Sequence, residues 1–185
     1  MALPQARTYT EYDYYSLPEN TRAELIEGQL YYQAAPSRAH QEILNFLNTE
    51  LNIYVRSKGG DCRIYPAPFA VKLHPDKHTI VEPDITVICN HSKLTDQGCT
   101  GAPDWIIEIV SPGNPSNDYI RKLYLYADAG VKEYWIVDPR SETIFVYYLA
   151  QENFKPKAYS FQDTVTANLF GDLQINFSQL TKLLH

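Results

Sequence analysis

Trp105-Ile106-Ile107-Glu108-Ile109-Val110 is the stretch that decides how this chain folds. It is apolar on both faces apart from one acid, as a central strand covered on both sides must be. Working downstream, Asn117 or Asp118 can open a helix that carries Leu123, Leu125, Tyr126 and Ala129 and stops at Gly130. Two strands follow, Glu133 to Val137 and Thr143 to Leu149, joined through Asp138-Pro139-Arg140-Ser141. The tail offers short strands near 157–161, 164–167 and 173–175, and a last helix near 178–184. Working upstream, a loop of about fifteen residues separates Trp105 from a strand at 84–89, and a longer strand is expected over Cys62 to Leu73. Ser37 caps a helix whose apolar residues Ile43, Leu44, Leu47, Leu51 and Val55 recur at helical spacing until Gly59-Gly60. Before it lie a tight hairpin, Ala23 to Glu27 and Gln29 to Gln33 about Gly28, and a short Tyr-rich helix over 8–18 closed by Pro18. Strands interleaved with two long helices make an α/β or α+β sheet domain. With no repeat, low-complexity tract or Pro/Gly-rich linker, residues 1–185 are expected to form one domain.

Composition narrows the function classes. A chain of 185 residues can bury about 70% of its unfolded surface. Its 44% apolar and 21% charged residues are those of an ordinary globular protein. Asp and Glu outnumber Lys and Arg by 22 to 16, for a net charge of -6. That excludes a protein gripping nucleic acid through global positive charge, though not through a local basic strip. The first residues lack the roughly 7–15 apolar positions of a signal peptide, and no run approaches the 18 or so that would span a bilayer. Cys62, Cys89 and Cys99 form no C-x-x-C pair, and an odd count cannot all be bridged internally. The expectation is a cytoplasmic protein with three buried or half-buried thiols, the sequons at Asn90 and Asn176 being chance matches.

Three residues stand out against this background. Glu108 inside its apolar strand is costly to bury unless a cation, a metal or donors meet it. It can equally be a strand-end acid paired with a lysine or facing solvent. Asp84, between Pro83 and the strand Ile85-Thr86-Val87-Ile88, can open that strand as a turn residue. Together the two carboxylates would make a hard oxygen site for Mg²⁺ or Mn²⁺. Lys122 lies in the following helix, where it can pair with Asp118 at i, i+4 for a few tenths of a kcal/mol. Alternatively its ammonium reaches the carboxylates, orients an attacking water and offsets transition-state charge.

Pro83-Asp84, Glu108-Ile109-Val110 and Lys122 resemble the PD-(D/E)XK nuclease constellation in its Uma2 (DUF820) form, with an apolar third position and the lysine moved to the next helix. The likeness extends through Arg22-Ala23-Glu24-Leu25-Ile26-Glu27-Gly28, Pro36 to Gln41, Pro66 to Phe69, Gly101 to Asp104, Lys122 to Tyr126 and Glu133 to Pro139. It implies a restriction-endonuclease-like core, a central mixed sheet flanked by helices, with the Asp84 and Glu108 strands adjacent. By position it implies Asp84, Glu108 and the Ile109 carbonyl as metal ligands, and Lys122 as the catalytic lysine. Glu24, Glu27, His40 and Gln41 match the family pattern, with Asp118 as a further accessory. Gln29 stands where the family commonly has an acid, and Asn114-Pro115-Ser116-Asn117 replaces a more basic turn.

The activity implied is Mg²⁺- or Mn²⁺-dependent hydrolysis of nucleic acid, DNA first, by a homodimer with no membrane partner. Arg38 and Arg121 are candidate contacts to the nucleic acid. The thin positive charge and Gln29 support a second reading, a catalytically silent binding or assembly module on the same fold. His74-Pro75-Asp76-Lys77-His78 reads as a solvated loop before it reads as a metal site. His40 can polarise a phosphate or simply cap and pack. The fifteen tyrosines include pairs suited to base stacking, but they also alternate as half-buried strand residues do.

Overall fold

The computed structural model describes residues 7–75, 78–111, 116–152 and 154–184, with side chains in all of these except 116–118. Helix α1 (Glu11–Tyr15) is a single turn opened by a capping box between Thr10 and Asp13. β1 (Ala23–Ile26) and β2 (Gln29–Tyr32) pair antiparallel through Glu27-Gly28, both at positive φ (50° and 77°), the geometry of a type I′ turn. The positive φ of Gly28 favours glycine, and a Cβ there would also have to displace Thr8 Cγ2, 2.5 Å away. α2 (Arg38–Ser57) begins where the Ser37 side chain accepts from the His40 N–H, and it buries Ile43, Phe46, Leu47, Leu51 and Val55 along one face.

The strand expected across 62–73 is two strands in two different sheets, β3 (Arg63–Pro66) and β4 (Val71–Lys72). Pro66 and Pro68 have no N–H to give a continuous ladder, so the chain leaves one sheet and joins the other. β5 (Ile80–Val81) and β6 (Ile85–Ile88) follow. The loop read before Trp105 holds β7 (Leu94–Thr95) and β8 (Gly98–Thr100), strands too short for alternation to announce them. β9 (Trp105–Ile109), α3 (Ser116–Ala129), β10 (Glu133–Asp138) and β11 (Thr143–Tyr148) match the sequence reading closely. The tail forms β12 (Lys157–Ser160), β13 (Thr164–Thr166), β14 (Gln174–Asn176) and α4 (Ser178–Leu184).

The central sheet runs β12-β11-β10-β9-β6-β3, with β9 and β10 parallel and the other neighbours antiparallel. A second mixed sheet, β2-β1-β5-β4-β8-β7, absorbs the N-terminal hairpin as its edge, and β13 and β14 form a separate ribbon. Strand alternation sorts β9 between two cores. Trp105, Ile107 and Ile109 pack with Ile43, Leu47 and Leu51 of α2. Ile106 and Val110 pack on the other face with Tyr119, Leu123 and Tyr126 of α3 and with Val71 and Val81 of the second sheet. Each fully buried aliphatic chain contributes roughly 1.5–3 kcal/mol, which fixes β9 as the middle layer.

One expectation is overturned. Cys62 and Cys89 are joined as a disulfide, not held as thiols, with Cα atoms 3.9 Å apart. They flank paired ends of β3 and β6, where Arg63 lies opposite Ile88, so the antiparallel register sets them face to face. Their separation of 27 residues concealed this in the sequence. The inference of a reducing compartment thereby loses two of its three cysteines. Cys99 remains a buried thiol, its pKa pushed up to about 11 by burial. Among the described residues, no helix is long and apolar enough to cross a membrane.

Candidate active site

Glu108 alternates with Ile107 and Ile109, so its carboxylate emerges on the α3 face of the central sheet. Lys122 and Tyr126, one turn apart on α3, both reach it. Lys122 Nζ donates to Glu108 Oε1 at 3.0 Å, and the Tyr126 hydroxyl donates to the same oxygen at 2.7 Å. The ammonium also meets both oxygens of Glu24 on β1, at 3.0 and 2.9 Å. Glu24 in turn accepts the backbone N–H of Glu82 at 2.9 Å. Glu24, Glu108 and Lys122 are all buried. Glu24 and Glu108 are thus among the partners of Lys122; the side chain of Asp118, its expected partner, lies outside the described residues.

Asp84 precedes β6, whose antiparallel register with β9 sets Ile85 opposite Ile107. One residue further, Asp84 arrives beside Glu108 and accepts the Ile109 N–H on Oδ2 at 2.7 Å. Its other oxygen lies 3.1 Å from His40 Nε2. His40 sits in the first turn of α2, buried, and its Nδ1 finds no partner among the described residues. These side chains line the floor of one cavity of about 640 Å³, and residues 30–37 form a wall of it.

Three carboxylates therefore share one ammonium and one imidazole. Burial raises the Glu108 pKa, the negative charges of Asp84 and Glu24 push the same way, and Lys122 and the Tyr126 hydroxyl oppose them; the balance lies at about 7. Tyr126 and Tyr119 are likewise raised, first by burial and then by Glu108. The excess of negative charge and the hard oxygen donors suit a divalent cation such as Mg²⁺ or Mn²⁺. Glu108 Oε2 takes no hydrogen bond among the described residues and so keeps its lone pairs. Ile109 O lies 3.5 Å from the Tyr119 hydroxyl, at the same end of β9. No group of three or more His, Cys, Asp or Glu side chains among the described residues is placed to hold a metal unaided. An ion here would take two carboxylates and complete its shell with a carbonyl, water or phosphate oxygens.

The other expected residues are placed less centrally. Glu27 is exposed in the hairpin turn and pairs with Arg121 at 3.3 Å. Arg121 also donates to the Tyr31 hydroxyl at 2.5 Å. Gln41 is exposed on α2, away from the cavity. Arg38 is 68% exposed, faces Glu42 at 3.7 Å and donates to the carbonyls of Leu183 and Leu184. Neither arginine lines the cavity. His74 meets Asp128 at 3.3 Å, while Asp76 and Lys77 lie outside the described residues, as does the 112–115 part of the turn before α3.

Two participants escaped the sequence reading. Tyr126 was read as an apolar helix residue, though its i+4 spacing from Lys122 was the available signal. Glu82 itself lines the cavity, meeting Arg22 at 3.3 Å and accepting from the Tyr14 hydroxyl at 2.9 Å. It stands beside Pro83-Asp84, and nothing local distinguishes it.

A mixed sheet whose neighbouring strands bring an aspartate and a glutamate to one cavity, with a lysine from the next helix, is a restriction-endonuclease-like arrangement. A crystal structure described as "a putative nuclease belonging to DUF820", from Anabaena variabilis ATCC 29413, shares this fold with a TM-score of 0.78 at 23% identity, over 95% of this chain and 99% of that one. The chain belongs to the Uma2 family, described as "Putative restriction endonuclease", which it matches over residues 10–178. It is also 25% identical over 140 residues to the uncharacterized protein slr1290 of Synechocystis sp. (strain ATCC 27184 / PCC 6803 / Kazusa), a stretch covering 75% of this chain and 72% of that protein.

Proposed function

We propose that this chain is a Mg²⁺- or Mn²⁺-dependent endonuclease that hydrolyses DNA phosphodiester bonds. One observation carries the reading: Asp84 and Glu108, from neighbouring strands, line the same cavity as Lys122, whose ammonium lies 3.0 Å from Glu108. Asp84, Glu108 and the Ile109 carbonyl would hold the ion, which supplies Lewis acidity at the phosphate and a water of lowered pKa. Lys122 donates toward the attacking water and offsets negative charge growing on the phosphate oxygens. Glu24 and Tyr126 hold Lys122 and Glu108 in their rotamers, and His40 orients Asp84. Purified protein is expected to nick DNA with Mg²⁺ or Mn²⁺, and Asp84→Ala, Glu108→Ala and Lys122→Ala are each expected to abolish nicking while retaining native circular dichroism. Activity at the wild-type level in all three variants would overturn the assignment. A homodimer, the commonest symmetric assembly, remains part of the proposal, to be checked by sedimentation velocity.

A second reading has its own support. Lys122 pairs with two buried acids, Glu24 and Glu108, so the same geometry would serve as a structural ion triad in a catalytically silent module. Titration calorimetry separates the two: an enzyme binds Mg²⁺ or Mn²⁺ with heat that disappears in Glu108→Gln, and a silent module shows none.

A further inference from the structure

The cations around the cavity are committed to the protein's own acids. Arg22 meets Glu82 at 3.3 Å, and Lys122 lies between Glu24 and Glu108. Arg121 pairs with Glu27 and covers one face of Tyr31, 4.8 Å from the ring centroid. On a chain of net charge -6, this leaves little uncommitted positive charge at the cavity to neutralise the two phosphate backbones of a duplex. The acids also lie below the surface, with Glu24 and Glu108 only 4% and 5% exposed. A scissile phosphate must therefore descend into a cavity of about 640 Å³. That is the size of sites that enclose a small ligand, roughly 300–1,000 Å³. A flexible strand can lower one or two nucleotides into such a space, whereas a stacked duplex holds its phosphates on a rigid outer surface.

The rim supplies the complementary feature. Tyr32, the last residue of β2, lines the cavity and is 67% exposed. Its ring makes no hydrogen bond or ring contact among the described residues, unlike Tyr31, which is engaged by Arg121. An exposed aromatic face beside a phosphate-accepting cavity is what non-sequence-specific single-strand binders use to stack bases.

We propose that the site takes single-stranded DNA, with a base stacked on Tyr32 next to the nucleotide whose phosphate enters the cavity. The inference rests on the nuclease reading for its cleavage step but not for its binding step, and the two are tested separately. Cleavage of an end-labelled 30-mer, single-stranded and annealed to its complement, is followed in Mg²⁺ and Mn²⁺ for the wild type, Tyr32→Ala and Tyr32→Trp. The single strand is expected to be cut at least about tenfold faster than the duplex. Tyr32→Ala is expected to raise KM for the single strand about tenfold, within the effect of losing one stacked base, and Tyr32→Trp to restore it. An exposed strand-end position leaves the fold intact in both variants. Equal or faster cutting of the duplex, or an unchanged KM in Tyr32→Ala, overturns the inference while leaving the nuclease reading standing. If neither substrate is cut, the nuclease reading fails, and anisotropy of the labelled single strand decides the binding step alone. Binding that Tyr32→Ala weakens supports it; no binding, or binding that Tyr32→Ala does not alter, overturns it.

Discussion

Glu108 is an ionisable group asked to exist in an apolar layer, and its neighbours determine in which form. Two other carboxylates lie near it against a single ammonium, so the folded protein retains the Glu108 proton to higher pH than the unfolded chain does. A carboxyl raised in this way contributes stability that is fully present below its unfolded value of 4.5 and is lost as pH rises through about 7. Glu108→Gln removes that loss and leaves Lys122 its ion pair with Glu24. The metal-free variant is therefore expected to gain stability over the wild type between pH 5 and 8, read as a difference in urea midpoints at the two pH values. By the same linkage, a cation at this site displaces the proton, so Mg²⁺ affinity of the wild type should weaken below pH 7. Glu108 drew attention as an acid in an apolar strand, Asp84 as an acid directly behind a proline at a strand start, and Lys122 by its place in the next helix and in the family pattern. Glu24 was matched only by family position, because its partner arrives from a helix far along the chain and no local spacing records that meeting.

At the scale of elements, Asp104 links three pieces of the central layer. Its carboxylate accepts from the Cys89 N–H at the end of β6 at 2.8 Å and from Lys132 Nζ ahead of β10 at 2.7 Å, and its carbonyl accepts from the N–H groups of Lys132 and Glu133. Burial alone would raise this carboxyl, but the Lys132 ammonium and the Cys89 N–H outweigh it and hold the pKa below its ordinary 3.8. A lowered carboxyl contributes stability above its unfolded value that is lost as pH falls through the folded one. Asp104→Asn is expected to cost about 1–3 kcal/mol at pH 7, with the gap to wild type closing below pH 3.8. Urea unfolding at pH 7 and pH 3 checks this. Strands of four to six residues other than β3, and both long helices, were readable from period and caps, since Ser37 and Gly130 mark helix ends where they stand. β4, β5, β7 and β8 were not readable. Such short strands carry almost no period, and these exist because the second sheet offers them a ladder; β13 and β14, three residues each, were nonetheless readable near their places.

For the whole molecule, net charge and local pairing together set how it meets a polyanion. With Arg22, Lys122 and Arg121 each bound to an acid, a single strand should displace few counterions. At roughly 0.7 per phosphate contacted, three contacts give a slope of log affinity on log salt of about -2. Titrations between 50 and 200 mM KCl are expected to fall at or above that value, and a slope steeper than -4 would require a broad basic face elsewhere. Global acidity is thus compatible with this fold acting on a phosphate, provided that the contact is narrow.

The cavity wall from Tyr31 to Ser37 contains no fully buried residue, although it runs from an edge strand into the cap of the longest helix. Sequence change there alters what the cavity admits while leaving both cores untouched. Substitutions in that short stretch can consequently drift, or be selected in a library, toward new substrate ranges at little cost in folding. The machinery beneath, held by Glu24, Glu108 and Lys122, has no such latitude.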